Sequence, residues 1–331
     1  MGTERPGSQI LGTGAYAPEK VLTNRDLAQM VDTSDEWIRE RTGIGERRIA
    51  ADGEAASDLA LRASQRALEM AGVRASDLDM IIVGTISPDH PMPACAAYLQ
   101  RKLGISQIPS FDVSAACAGF LYGLSIGDQF VRTGALKRVL VVGVEVLSRI
   151  LNWKDRATCV LFGDGAGAVA LGPADGDGRG LLSTKLHTDP SLTDSLYIPA
   201  GGSRERLTSD GIVAQRDKVV MVGSDIFKIA VKNLTGASRA ALEAAGLTAD
   251  SVKWVVPHQA NLRIIANVAQ RLDIPLERFV LNIDRYGNTS SASIPLALDE
   301  AVRDGRIQKG DTVLMCALGA GISWGSALVR M

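Results

Sequence analysis

The chain repeats itself. Residues 63–75 (ASQRALEMAGVRA) and 237–249 (ASRAALEAAGLTA) agree at Ala63, Ser64, Ala67, Leu68, Glu69, Ala71, Gly72 and Ala75. Apolar residues at helical spacing followed by glycine predict a helix closed by a left-handed cap, at Gly72 in the first copy. Each copy then runs into a short apolar strand, Met80–Val83 or Trp254–Val256, and the spacing holds further on. Arg138–Gly143 is answered by Asp311–Cys316, and Gly165–Leu171 by Gly325–Val329. The period is far too long for a solenoid. It predicts two similar α/β halves, 1–175 and 176–331, joined near the run of breakers Gly172–Gly178. Met80-Ile81-Ile82-Val83 is apolar at every position, as in a strand buried on both faces of a parallel sheet.

Such a pair of halves usually places its chemistry where the carboxyl ends of the two sheets face each other, so candidate residues should come from both. In the first half, Ile108–Phe120 (IPSFDVSAACAGF) reads as a short strand, a small-residue turn and the start of a helix. Cys117 falls at that junction, near first-turn amides and a positive helix end, which favour thiolate over thiol. Ala115, Ala116, Ala118 and Gly119 leave room for a carbonyl to approach the sulfur and the Cys117 backbone N–H. The alternative is a buried structural cysteine packed as a small hydrophobe. This stretch alone weighs equally for both.

The second half places His258 just past the strand in KWVVPHQAN, and Asn288 past the next apolar stretch, in FVLNIDRYGNTSSAS. Singly, the histidine could cap a strand end and the asparagine could be a turn residue. Three polar groups at equivalent strand ends of a duplicated chain favour a functional reading. Between Ser34 and Arg48, a Ser34-capped helix carries Trp37 among several arginines. That is either a solvated charged face or a site for an aromatic base bearing phosphates.

Composition narrows the rest. Net charge is −1, 46% of residues are hydrophobic and 22% charged, a soluble globular balance with no sign of a nucleic-acid partner. MGTERPGSQI has no apolar run that could serve as a signal, and no stretch approaches a membrane span, so a cytoplasmic protein is expected. Four scattered cysteines and three scattered histidines (His90, His187, His258) suggest neither a disulfide framework nor a metal site.

Four stretches together, DVSAACAGF (112–120), PHQAN (257–261), GNTSSASIP (287–295) and GAGISWG (319–325), closely resemble the β-ketoacyl-acyl carrier protein synthase III enzymes of bacterial fatty acid synthesis. The resemblance runs nearly the whole chain. It implies the thiolase fold, two duplicated α/β halves in a five-layered αβαβα arrangement. It also implies a decarboxylating Claisen condensation of an acyl-CoA primer with malonyl-acyl carrier protein, in a cytoplasmic homodimer. On this resemblance Cys117 accepts the acyl group, His258 and Asn288 bind the malonyl thioester carbonyl, and the amides of Cys117 and Gly321 form a second oxyanion hole. Trp37, Arg41, Thr42 and Arg156 align with coenzyme A contacts, and Gly223, Phe227 and Asn261 with the pantetheine tunnel. Lys228 and Arg263 look like part of a basic rim for the acidic carrier protein. Coenzyme A enters as a substrate thioester, and no metal or other cofactor is implied.

Met92 stands where acetyl-specific members carry Phe, in a segment that reaches the partner subunit's acyl pocket, so primer length is open. Ala320 replaces a glycine of the usual loop. A specialised enzyme priming a polyketide is the nearest alternative. A thiolase would need a second catalytic cysteine closer to the C-terminal glycines than Cys316, and Gly-His-Pro in place of Gly287-Asn288-Thr289. A Cys-His-Asn hydrolase would use the histidine as a base, and a scaffold would leave Cys117 inert.

Overall fold

The computed structural model of the chain describes residues 7–222 and 226–331. The first half contains β1 (Ser8–Tyr16), α1 (Asp35–Thr42), α2 (Ala56–Ala71), β2 (Met80–Gly84), α3 (Cys95–Lys102), β3 (Ser110–Val113), α4 (Gly119–Arg132), β4 (Val139–Glu145) and β5 (Gly165–Pro173). The second contains β6 (Gly180–Thr188), α5 (Ile226–Ala244), β7 (Trp254–Pro257), α6 (Leu262–Leu272), α7 (Ser293–Arg303), β8 (Thr312–Gly319) and β9 (Ser323–Arg330). The expected caps are in place. Ser34 accepts the Trp37 N–H at the start of α1, and Gly72 closes α2 in the left-handed region at φ 62°.

The duplication is visible strand by strand. The first sheet runs β3-β2-β4-β5-β1, parallel across β3, β2 and β4 and antiparallel beyond. The second runs β7-β8-β9-β6, with one parallel pair followed by two antiparallel ones. The strand ending at Pro173 and the strand starting at Gly180 are joined by residues 174–179, which overlap the breaker run.

One expectation is corrected. The stretch before Asn288 is not a strand equivalent to β3, because Phe279 makes only an isolated parallel bridge to Val255. Val280 N–H still donates to Val255 O at 2.8 Å. Beyond it the Gln259 side chain takes over, donating to Val280 O at 3.1 Å and accepting the Asn282 N–H at 3.1 Å. A helical turn, Ile283–Tyr286, then leads to Asn288.

The central strands β2, β4, β7 and β8 are mostly apolar because both of their faces are covered. Ile82, Val141 and Val169 on one sheet and Val256, Val313 and Met315 on the other pack onto a central layer of α4 and α7 through Phe120, Leu124, Ile294 and Leu298. Alternate residues Ile81, Val83, Leu140 and Val142 turn outward onto Leu59, Ala63 and Ala67 of α2. Val255 and Leu314 turn outward onto Leu234 of α5 and Ile265 and Val268 of α6. Period-two alternation thus produces five layers, αβαβα, with α4 and α7 starting at the centre. Truncating a core residue such as Ile82 to alanine costs about 2–5 kcal/mol.

Candidate active site

Both central helices begin in the same way. Before α4, residues Ala116–Ala118 form a single 3₁₀ turn, with Ala116 at φ +45° and Ala118 N–H donating to Ala115 O at 3.0 Å. Before α7, residues Ser290–Ala292 repeat the turn, with Ser290 at φ +49° and Ala292 N–H donating to Thr289 O at 3.0 Å. A left-handed residue that is not glycine is costly and persists where its surroundings over-determine it, which happens most often at functional sites. The first turn carries Cys117, 7% exposed.

Two cavities meet at that sulfur. One, of about 260 Å³, is lined by Cys117, His258, Asn288, Phe227 and Asn261. The other, of about 420 Å³, is lined by Cys117, Ile86, Leu147, Leu151, Leu196 and Gly321. Cys117 lies 141 positions before His258 in the chain, and the fold brings His258 and Asn288 to one side of it and Gly321 to the other.

His258 follows β7, its N–H held by Cys316 O at 2.8 Å. Its Nδ1 lies 2.6 Å from Ser293 Oγ, the first residue of α7, and that oxygen also accepts the Gln259 N–H at 3.4 Å. With that oxygen already accepting, we assign the Ser293 hydroxyl as the donor to Nδ1, which leaves the ring proton on Nε2 for the cavity. Burial pushes the imidazole down to about 3, so it is neutral at physiological pH. Asn288 is pinned to the first half, donating its N–H to Leu161 O at 2.9 Å and accepting the Gly163 N–H at 3.0 Å. Its Oδ1 accepts the Ser290 N–H at 2.8 Å, which orients the amide so that Nδ2 is the donor facing the cavity. Two neutral donors from the second half thus share a cavity with the thiol of the first.

The thiol itself departs from expectation. Burial pushes Cys117 up to about 12 and the charge of Glu145 adds to this, while the Ser290 hydroxyl pulls it down. The lowering expected from the helix end is outweighed. The glycine loop behaves as expected. Gly321 sits at φ +114°, and a Cβ on Gly319 would lie 2.5 Å from the Cys117 nitrogen, so only glycine allows β8 to end there. Cys316 lies fully buried in β8 with its thiol pushed up to about 12 by burial, beside the Ser238 hydroxyl.

Trp37 on α1 forms a cationic platform, with the Arg41 and Arg156 guanidinium carbons 4.8 and 4.9 Å from its ring centroid. Thr42 is buried at the end of α1, its hydroxyl donating to Ile38 O at 2.6 Å and accepting the Ile44 N–H at 3.0 Å. Asn261 caps α6 by accepting the Arg263 N–H at 2.8 Å and ties α6 to α1 by donating to Arg41 O at 2.9 Å. Arg263 lies 5.8 Å over the Phe227 ring at the mouth of the smaller cavity, with Lys228 exposed alongside. Met92 is 84% exposed and lines neither cavity of its own chain. Gly223 lies outside the described residues.

Comparison with known proteins identifies the family. Residues 111–190 match the family description 3-oxoacyl-[acyl-carrier-protein] synthase III, and residues 242–331 its C-terminal counterpart. The β-ketoacyl-[acyl-carrier-protein] synthase III of Xanthomonas campestris pv. campestris is 54% identical over 331 residues, 99% of each chain. The chain belongs to the β-ketoacyl-acyl carrier protein synthase III family. Among solved structures, the synthase III of Aquifex aeolicus is 44% identical and superposes with a TM-score of 0.90 over 98% of this chain and all of its own. A priming β-ketosynthase of the R1128 polyketide pathway is 38% identical, with a TM-score of 0.91 over 100% of this chain and 98% of its own. As a synthase III, the protein has the thiolase fold and is a condensing acyltransferase that initiates fatty acid synthesis.

Sequence reasoning missed three groups at this synthase III site. Ser293, which fixes the His258 tautomer, and Ser290, beside the thiol, lay unassigned in a quoted motif. Glu145 is fully buried at the end of β4, and its signal was a charge closing an otherwise apolar strand.

Proposed function

We propose that Cys117 carries the acyl group and that His258 and Asn288 carry the condensation. The supporting observation is the meeting of a thiol from one half with two oriented neutral donors from the other in a single cavity. The acyl-CoA adenine stacks on Trp37, with Arg41 and Arg156 on its phosphates, and pantetheine enters past Phe227 and Asn261. Cys117 attacks the thioester carbonyl, the Cys117 and Gly321 amides hold the oxyanion, and coenzyme A leaves.

Malonyl-acyl carrier protein follows, guided to the entrance by Lys228 and Arg263. Its thioester carbonyl accepts from His258 Nε2–H and Asn288 Nδ2–H. The bond to the carboxylate breaks, carbon dioxide departs, and the electron pair forms an enolate held by those donors. The enolate carbon then attacks acyl-Cys117 and expels the sulfur. Each oxyanion donor contributes on the order of a hundredfold to a thousandfold in rate. A neutral histidine suits this role better than a base, and the reaction so drawn uses no metal or flavin.

The larger cavity takes the primer chain. Met92 is exposed and does not line it in its own chain, and we assign Met92 to the acyl pocket of a second copy in a homodimer. The enzyme then works in the cytoplasm with its carrier protein. The fatty acid reading is favoured over polyketide priming by the higher identity to the Xanthomonas enzyme than to the R1128 ketosynthase.

The test is an assay of β-ketoacyl-carrier protein formation from malonyl-acyl carrier protein and a panel of acyl-CoAs. Wild type should release one coenzyme A per product and Met92→Phe should shift preference toward acetyl. Product formation undiminished in Cys117→Ser would refute the covalent route.

A further inference from the structure

The proposed mechanism leaves one proton without a destination. Cys117 must lose its proton to attack, and the buried site opposes the thiolate. His258 is not the acceptor, since its Nδ1 is engaged by Ser293 and burial holds the ring neutral far below pH 7. The group that remains is Glu145.

Its carboxyl is fully buried at the junction of the two halves. Oε2 accepts from the first half, from Ser87 Oγ at 2.5 Å, the Ile86 N–H at 3.1 Å and Thr85 Oγ1 at 3.2 Å. Oε1 accepts from the second half, from the hydroxyls of Ser290 and Ser291, each at 3.1 Å. Among the described residues no lysine, arginine or histidine pairs with it. Asp164, just ahead of the strand paired with β4, turns its carboxyl to Ser148 and the Ala50 N–H instead. Ser290 is the pivot of the cluster. Its backbone is strained, its N–H orients Asn288, its hydroxyl donates to Glu145 Oε1 at 3.1 Å, and it lines the same cavity as Cys117.

We propose that Ser290 and Glu145 form the path by which the Cys117 proton leaves during acylation, a reading that rests on Cys117 being the nucleophile. The Cys117 S–H bond breaks as an O–H bond forms on Ser290 Oγ, while the Ser290 proton passes to Glu145 Oε1. The sulfur keeps its electron pair and attacks the acyl carbonyl. Coenzyme A leaves as a thiolate and is protonated by water. Glu145 holds the proton until condensation expels the Cys117 sulfur, which takes it back through Ser290. Burial pushes the carboxyl up to about 7 against the pull of its hydrogen bonds, so it can take up and return a proton near neutral pH. The titratable group that feels its charge is Cys117, and the groups that set its own ionisation are the hydroxyls and the amide already named.

The alternative is a carboxyl that only clamps the halves together. The test measures Cys117 acylation by rapid quench and intact mass across pH 5.5–9, beside malonyl decarboxylation, in wild type, Ser290→Ala, Glu145→Gln and Glu145→Asp. Wild-type acylation should rise with an inflection near pH 7. Ser290→Ala and Glu145→Gln should lose that inflection and acylate on the order of a hundredfold more slowly at neutral pH. Decarboxylation should slow far less, and Glu145→Asp should recover part of the acylation rate. A wild-type pH profile in Ser290→Ala overturns the path, even if Glu145→Gln fails to fold. So does a parallel fall of both half-reactions with no recovery in Glu145→Asp. If wild type takes no acyl group at any pH, the nucleophile assignment fails instead.

Discussion

The turn that presents Cys117 and its twin at Ser290–Ala292 share a backbone and differ in every side chain that matters. Each has a left-handed first residue, a 3₁₀ turn and a central helix behind it. Each also packs across onto the other half. The Cys117 nitrogen lies where a Cβ on Gly319 would come within 2.5 Å, and the Ser291 oxygen where a Cβ on Gly143 would come within 2.2 Å. Duplication supplied the geometry twice, and the side chains divided the work. One turn keeps small neighbours and a thiol. The other fills the same space with hydroxyls that reach Glu145 and, one residue on, His258.

Removing the first turn's chemistry should have the largest effect. Cys117→Ser is expected to cost at least about a thousandfold in condensation, because a hydroxyl is far less acidic than a thiol and supplies no alkoxide at neutral pH even to a carboxylate titrating near 7. Ser291→Ala, the twin change, should leave acylation measurable, and a loss equal to that of Cys117→Ser would erase the distinction between the turns. Next come the donors. His258→Ala or Asn288→Ala should lower condensation on the order of a hundredfold to a thousandfold while the acyl-enzyme still forms.

Close packing comes third. Gly143→Ala and Gly319→Ala both push a Cβ into backbone, and each should cost about 1–3 kcal/mol, read from denaturant midpoints. Gly319→Ala should slow acylation more, because it displaces the Cys117 amide itself, whereas Gly143→Ala presses on the Ser291 carbonyl beside Ser290. Equal kinetic defects in the two variants would show that the packing, not the amide, matters.

Much of this was legible in the sequence. The repeat paired three strands of one half with three of the other, Ser34 and Gly72 marked helix ends, and Cys117 and His258 fell at strand ends. The missing counterpart of β3 was not legible, because Phe279-Val280-Leu281 is as apolar as a strand and only the tertiary contact with Gln259 replaces its ladder. The bonding of Thr42 was not legible either, because the backbone partners of a hydroxyl in the last turn of a helix are set by the fold. Glu145 escaped because its five donors are spread over residues 85–291 and share no local pattern.

Acidity distinguishes the halves as well. His258 is held near 3, below its ordinary 6.5, so its contribution to stability is present above about pH 6.5 and lost as pH falls toward 3. Glu145 is raised to about 7 from 4.5, so its contribution is present below about pH 4.5 and lost as pH rises toward 7. The two oppose each other between about pH 4.5 and 6.5, each at about 1.4 kcal/mol per pH unit. Relative to wild type, Glu145→Gln should lose stability on acidification from near pH 6.5 rather than 4.5, in urea midpoints taken at each pH. Identical acid profiles would contradict both assignments.

The smallest effect belongs to the platform farthest from either turn. Trp37→Ala should raise KM for acyl-CoA about tenfold or less and change use of the carrier-protein substrate less, because only the former carries an adenine to stack. Equal effects on both substrates would make Trp37 structural.

The division of labour between the halves is tested most directly by intact-protein mass spectrometry with peptide mapping after exposure to an acyl-CoA. The account predicts a single acyl adduct on Cys117 in wild type, the same adduct in His258→Ala and Asn288→Ala, and none in Cys117→Ser. An adduct that persists in Cys117→Ser, or that vanishes in Asn288→Ala, would contradict it.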